Sequence, residues 1–228
     1  MGTTRKILMA VVLVGALATA SGSGTFAGFN ATTTNASSAF QTGTVVLSNL
    51  KQGGTTCFSY GASPTAIGTN SNACADNLYS FAANQKPSAS NIGTVNLTLT
   101  NIGSLPGTLK VYASTACSSG PDAGSYHGNG NLCQFLKISI QETTTLGGAG
   151  NGACIYPAAA SNCAAVAAGD LSSLNNLASA LSVGTLAATN GVRYFTVNVA
   201  LPNGASGAEN SIMGLTASWA LGWVLEQQ

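Results

Sequence analysis

The most restrictive feature of this chain is a period-two alternation of apolar and polar side chains that recurs in segment after segment. In the last of these, Leu215, Ala217, Trp219, Leu221, Trp223 and Leu225 all fall on one face of a single extended run. Successive side chains of a strand point to opposite faces, so such a run has one face for a core and one for water. Val95, Leu97 and Leu99 alternate with Thr94, Asn96, Thr98 and Thr100 in the same way. So do Leu136, Ile138 and Ile140 with Lys137, Ser139 and Gln141, and Phe195, Val197 and Val199 with Tyr194, Thr196 and Asn198. Leu109 and Val111 open another strand after the turn-forming Gly103-Ser104-Leu105-Pro106-Gly107, which predicts a hairpin-like connection. The pattern predicts an all-β antiparallel sandwich, with Trp219 and Trp223 as the largest contributors to its core.

One stretch departs from this period. After Asp170, a residue suited to an N-cap, Leu171, Leu174, Leu177, Ala178 and Leu181 recur at helical spacing as far as Gly184. That predicts a helix of about three turns. Loops rich in Gly, Ala, Ser and Asn are expected over 53–77, 114–131 and 146–168. The cysteines fall in pairs in or beside them: Cys57 and Cys74, Cys117 and Cys133, Cys154 and Cys163. An even number of cysteines with no C-x-x-C spacing reads as a set of structural bridges. Pairing neighbours in sequence closes each loop locally and protects its exposed surface, at about 3 kcal/mol for a 15-residue loop.

The chain begins with the layout of a secretory leader. Arg5 and Lys6 precede an apolar run from Ile7 to Ala18, which small residues follow. The run is short of the roughly 20 residues that span a bilayer. Export without a transmembrane anchor is the expectation. Ala18-Thr19-Ala20 has the small-x-small form of a cleavage site, and a second candidate lies at Ala27-Gly28-Phe29. Only 6% of the residues are charged, and removing the leader leaves five basic against six acidic side chains. Five scattered cations make no stripe for a phosphate backbone, which argues against nucleic acid as a partner.

Catalytic chemistry has few candidates. The one histidine, His127, lies in a Gly/Ser/Asn context, and no H-E-x-x-H or G-x-S-x-G motif is present. Asp76, Asp122, Glu142, Asp170, Glu209 and Glu226 never pair at short range. Asp76-Asn77 and Glu209-Asn210 offer only weak calcium signals. The expectation is a non-enzyme with no cofactor. Tyr60, Tyr79, Tyr126 and Tyr156, in or beside the expected loops, suggest a different role, stacking on a polysaccharide.

Several motifs, in order, resemble the TasA/camelysin family of surface and biofilm-matrix fibre proteins. Gly24-Thr25-Phe26-Ala27-Gly28-Phe29 stands at the end of the leader, and Phe40-Gln41-Thr42-Gly43-Thr44-Val45-Val46-Leu47 follows a Thr/Ser/Asn segment. Asn91-Ile92-Gly93, Asn101-Ile102-Gly103-Ser104-Leu105-Pro106-Gly107, the stretch 186–202 and the final strand ending in Gln227-Gln228 complete the likeness. The resemblance implies a jelly-roll-like sandwich with one or two short helices and long disulfide-stapled loops. It implies a SipW-type leader over 1–28, cut by a dedicated signal peptidase at Ala27, Gly28 and Phe29.

An extended segment would then occupy 29–43, and a single domain 44–228. In such fibres the segment beginning Phe29, Asn30, Ala31, Thr32, Thr33 and Thr34 completes a sheet of the next subunit, head to tail. The physics does not need the name: an open sheet edge presents unpaired N–H and C=O groups, and a neighbour's tail can satisfy them. Camelysins have been regarded as metalloproteases, but no zinc site is recognisable here, so the resemblance does not carry that activity over. The expected function is a secreted, self-polymerising fibre subunit, with a polysaccharide-binding module as the alternative.

Overall fold

The structure is a computed structural model. It describes residues 43–61, 70, 72, 74, 78, 85–88, 90–124, 126–158, 163, 169–174, 176–203 and 208–227. From Gly43 onward the chain forms one compact unit. It is an all-β sandwich of two antiparallel sheets. The strands are β1 (Leu47–Lys51), β2 (Thr56–Phe58), β3 (Asn91–Asn101), β4 (Gly107–Pro121), β5 (Lys137–Thr143), β6 (Gly150–Tyr156), β7 (Gly169–Asp170), β8 (Leu181–Leu186), β9 (Gly191–Ala200) and β10 (Leu215–Gln227), with one short helix, α1 (Leu132–Phe135). The large sheet runs β2-β1-β3-β9-β5-β6, with β7 also paired to β5, and the small sheet runs β10-β4-β8.

The alternating segments became β3, β5, β9 and β10, and their apolar faces form the core. Leu97, Leu99, Phe195, Val197, Val199, Ile138 and Ile140 line the large sheet's inner face, and Leu109 and Val111 face them from β4. Phe195 is the largest fully buried side chain. The tryptophans differ from expectation: Trp219 and Trp223 pack against the core but stay partly exposed. Their strand lies at the rim of the small sheet, where cover comes from one side only. Trp223 still reaches across the sandwich, its ring centroid 4.7 Å from that of Phe195.

The expected hairpin is instead a crossover. β3 pairs with β1 and β9, whereas β4 pairs with β10 and β8, so the Gly103–Gly107 turn carries the chain from one sheet to the other. Alternation shows that both strands have an apolar face; it does not say whether those faces lie side by side or opposed. Asn101, fully buried, holds the corner by donating from Nδ2 to the Leu105 carbonyl at 2.8 Å and accepting from the Gly103 N–H at 2.9 Å. A Cβ on Gly103 would collide with the Thr44 backbone, so this close approach requires glycine. The β8 to β9 crossover docks on the same corner, through Thr189 N–H to Gly103 C=O and Asn190 N–H to Asn101 C=O.

The expected three-turn helix is absent. Two separate 3₁₀ turns, Leu171–Ser173 and Leu177–Ser179, stand in its place, and Leu181 already belongs to β8. Asp170 makes no side-chain cap bond and instead forms an ion pair with Lys137, its cross-strand partner. Asn176 caps the second turn by accepting from the Ala178 N–H, a local bond that competes with helix continuation. Gly184, expected to end the helix, sits within β8 at φ +117° beside a register shift.

The expected loops also held strands. β2, the outer half of β4 and β6 all lie in stretches without apolar alternation. Backbone pairing with β1, β10 and β5 orders them, and no side-chain period records that.

Candidate functional site

The sheet edges differ sharply. β2 has three residues and β7 two, and β6 pairs with β5 through two register shifts. β8 has six residues and is interrupted at Gly184. Short, bulged edges of this kind resist pairing with other chains. β10 is longer: it has two register shifts between Ser218 and Leu221, but thirteen residues, whose ladder partners, among the described residues, lie on β4 alone. Its pairing is regular from Leu221 to Gln227, and it carries no charge or proline before Glu226, which itself pairs with Lys110 at 2.6 Å.

Cross-strand rows on the large sheet show what lies beneath that edge. One inner row reads Lys51, Leu97, Phe195, Glu142, and the next reads Asn49, Leu99, Arg193. At one end of these rows Arg193 makes a bidentate pair with Glu142, at 2.7 and 2.8 Å, and donates to the Val183 carbonyl of β8 at 2.9 Å. The register shift in β8 leaves Val183 out of the ladder, which frees that carbonyl. β8 therefore lies towards β5, and β10, through Trp223, rests on Phe195. Beyond it the row continues through the fully buried Leu97 of β3 to Lys51 of β1, with Asn49 in the next row. A cavity of about 30 Å³ opens there, with Cys57, Cys74 and Leu78 beside these residues. Asn49 Oδ1 is buried in it and has no hydrogen-bond donor among the described residues.

The segment before β1 is latched at the crossover corner. Thr44 N–H donates to Ser104 Oγ at 2.9 Å, Leu105 N–H to Thr44 C=O at 3.0 Å, and Ile102 N–H to Val46 C=O at 2.9 Å. Gly107, at the end of that corner, pairs with Gln227. The start of the domain thus lies at the same pole at which β10 finishes.

All three bridges join the expected pairs, Cys57 to Cys74, Cys117 to Cys133 and Cys154 to Cys163, with Cα separations of 5.5, 5.8 and 5.2 Å. Two do more than shield loops, because Cys133, Cys154 and Cys163 are buried. Cys133 ties α1 to β4, and Cys163 roofs the outer face of β5, where its carbonyl accepts from Ser139 Oγ at 2.9 Å. That bond ends a polar ladder from Thr94 Oγ1 to Asn198 Oδ1 and from Asn198 Nδ2 to Ser139.

The remaining expected groups do not converge. Tyr126 is 91% exposed, Tyr60 stacks on Phe58 with centroids 5.1 Å apart, and Tyr156 donates to the Asp170 carbonyl at 2.5 Å. Burial, with the Asp170 charge second, pushes the Tyr156 phenol above its ordinary value. Tyr79 and Asp76 lie outside the described residues, as do Ala27, Gly28, Phe29, Asn30, Ala31, Thr32, Thr33 and Thr34. His127 is exposed. Among the described residues, no three of His, Cys, Asp and Glu gather closely enough to hold a metal ion, and no helix is long and apolar enough to cross a membrane.

These features define a class: a disulfide-stapled all-β sandwich with one long edge strand, β10, paired on one side only among the described residues. Three disulfides are compatible with an extracellular protein. Compared with known proteins, the chain matches no family model and no curated sequence.

Proposed function

We propose that the protein is a secreted structural subunit that polymerises head to tail into extracellular fibres, the N-terminal segment of one copy adding a strand beside β10 of the next. The observation that carries this reading is the thirteen-residue β10, open on one side among the described residues, regularly paired from Leu221 to Gln227 and without proline or a charge before Glu226. A jelly roll divides eight strands between two sheets. The small sheet here holds three, and a fourth would add at β10, whose outer side has no ladder partner among the described residues.

The Thr/Ser/Asn stretch after Phe29 suits an extended strand, and its likeness to the TasA/camelysin pattern points the same way. Because the tail joins its domain at one pole and the acceptor edge belongs to another copy, the contact is heterologous and does not close, which grows a filament. The leader, while attached, keeps the tail from docking.

Negative-stain electron microscopy of the processed protein tests this. Filaments from the intact mature chain, and none after deletion of residues 29–39, are expected. Filaments that persist without the tail would overturn the reading.

A further inference from the structure

The outer face of the small sheet carries an aromatic ring laid across a glycine. Leu109 and Val111 turn inward from β4, so Thr108, Lys110 and Tyr112 turn outward. Tyr112 stands opposite Gly222, the one glycine of β10. A Cβ on Gly222 would lie 2.4 Å from Tyr112 Cζ and 2.8 Å from its hydroxyl oxygen. The ring therefore leans over the β10 backbone where no side chain stands in its way, and it lies low on the sheet. Tyr112 remains partly exposed, so the side of the ring turned away from Gly222 is the side that solvent reaches.

The surroundings of this ring are polar and electrically neutral. Lys110, two residues along β4 and so about 7 Å away, pairs with Glu226 at 2.6 Å. Ser182 and Thr185 of β8 stand opposite Lys110 and Thr108. Ser182, Thr185 and Glu226 are exposed. The two charges cancel, so the face offers a polyanion no basic stripe. Val224, opposite Lys110, is the other large apolar side chain of these rows, which is too little apolar surface for a protein partner. The electron-rich face of an aromatic ring attracts C–H groups. A sugar ring presents such groups on its flat side and hydroxyls around its rim. An apolar platform flanked by a few polar groups is the arrangement that holds and orients a ligand of this kind.

We propose that the outer face of the small sheet is a binding site for a neutral polysaccharide: one sugar ring stacks on Tyr112, and Lys110 and Glu226 hydrogen-bond the next. The site lies on a sheet face and not on the open side of β10, so it is independent of the head-to-tail reading.

The test is affinity electrophoresis of the full mature chain in gels containing a mixed-linkage β-glucan, a glucomannan or a galactomannan, with alginate as the polyanion control. Retardation by at least one neutral polymer, and none by alginate, is expected. Tyr112→Ala weakens binding about ten-fold or more, the effect of removing one stacking ring. Tyr112→Phe stays within about three-fold of wild type, because the stacking face is kept. Gly222→Ala retains the phenol but lifts the ring off the sheet and weakens binding several-fold, which a tyrosine that only shields the strand backbone would not do. Tyr126→Ala removes an exposed loop tyrosine and leaves binding unchanged.

Melting temperature controls for folding; should Tyr112→Ala fail to fold, Glu226→Gln at the exposed end of the site decides, with a several-fold loss expected. Retardation by none of the neutral polymers, retardation by alginate alone, or full binding by a folded Tyr112→Ala overturns the inference.

Discussion

Replacing Asn101 by alanine tests whether the crossover corner is held by one side chain. Asn101 is completely buried, and its carboxamide serves both the Gly103 N–H at 2.9 Å and the Leu105 carbonyl at 2.8 Å. Alanine keeps the backbone bond from Asn190 and removes both side-chain bonds. Stranding the buried Gly103 N–H costs about 1–3 kcal/mol, and losing the bond to the partly exposed Leu105 carbonyl costs a further ~1 kcal/mol. The sum is about 2–4 kcal/mol, a large share of the roughly 5–15 kcal/mol that stabilises a typical domain. At about 2–4 °C per kcal/mol for a domain of this size, the melting temperature falls by roughly 5–15 °C.

Differential scanning calorimetry of the oxidised protein measures this directly. Limited proteolysis supplies a second readout, because Gly43–Val46 is latched to the same corner and becomes cleavable when the corner loosens. Asn101→Asp keeps the acceptor for Gly103 but loses the donor and sets an anion beside the Leu105 carbonyl, so it too destabilises. An alanine variant that melts within about 2 °C of wild type, with no new cleavage, would refute the assignment.

Three other outcomes are expected. Ala220→Lys places a charge on the rim strand and stops filament elongation, as seen by light scattering, while the monomer melts within a few degrees of wild type. Replacing Cys117 and Cys133 together with serine lowers stability by about 2–5 kcal/mol in chemical denaturation, since the bridge closes a separation of 16 residues and Cys133 is buried. Tyr156 holds its phenol above the ordinary value of 10.0, so its stabilisation is complete below that pH and declines as pH rises towards the raised value, where the unfolded chain ionises first. Melting temperatures of wild type and Tyr156→Phe, compared from about pH 9 to about pH 11, converge as the pH rises; a constant difference would contradict this.

What the sequence determined by itself is the set of strand faces and the staples. Period two reports which side chains turn inward, and it did so for β3, β5, β9 and β10 because each has an apolar face against the core. Sequence-adjacent cysteines around small-residue loops pair locally because little chain has to be closed. The tertiary structure decided which strands are neighbours. Leu97 and Leu109 read alike in sequence, yet one lies in the large sheet and the other faces it from the small one, and the turn between them carries no mark of that choice. The leucine spacing after Asp170 failed for a related reason: cross-strand pairing with Lys137 and the local bond of Asn176 outweigh a helical period built on weak helix formers. The side of β10 that has no ladder partner among the described residues is a property of what fails to cover it, and a missing neighbour leaves no signature in the residues that would have touched it.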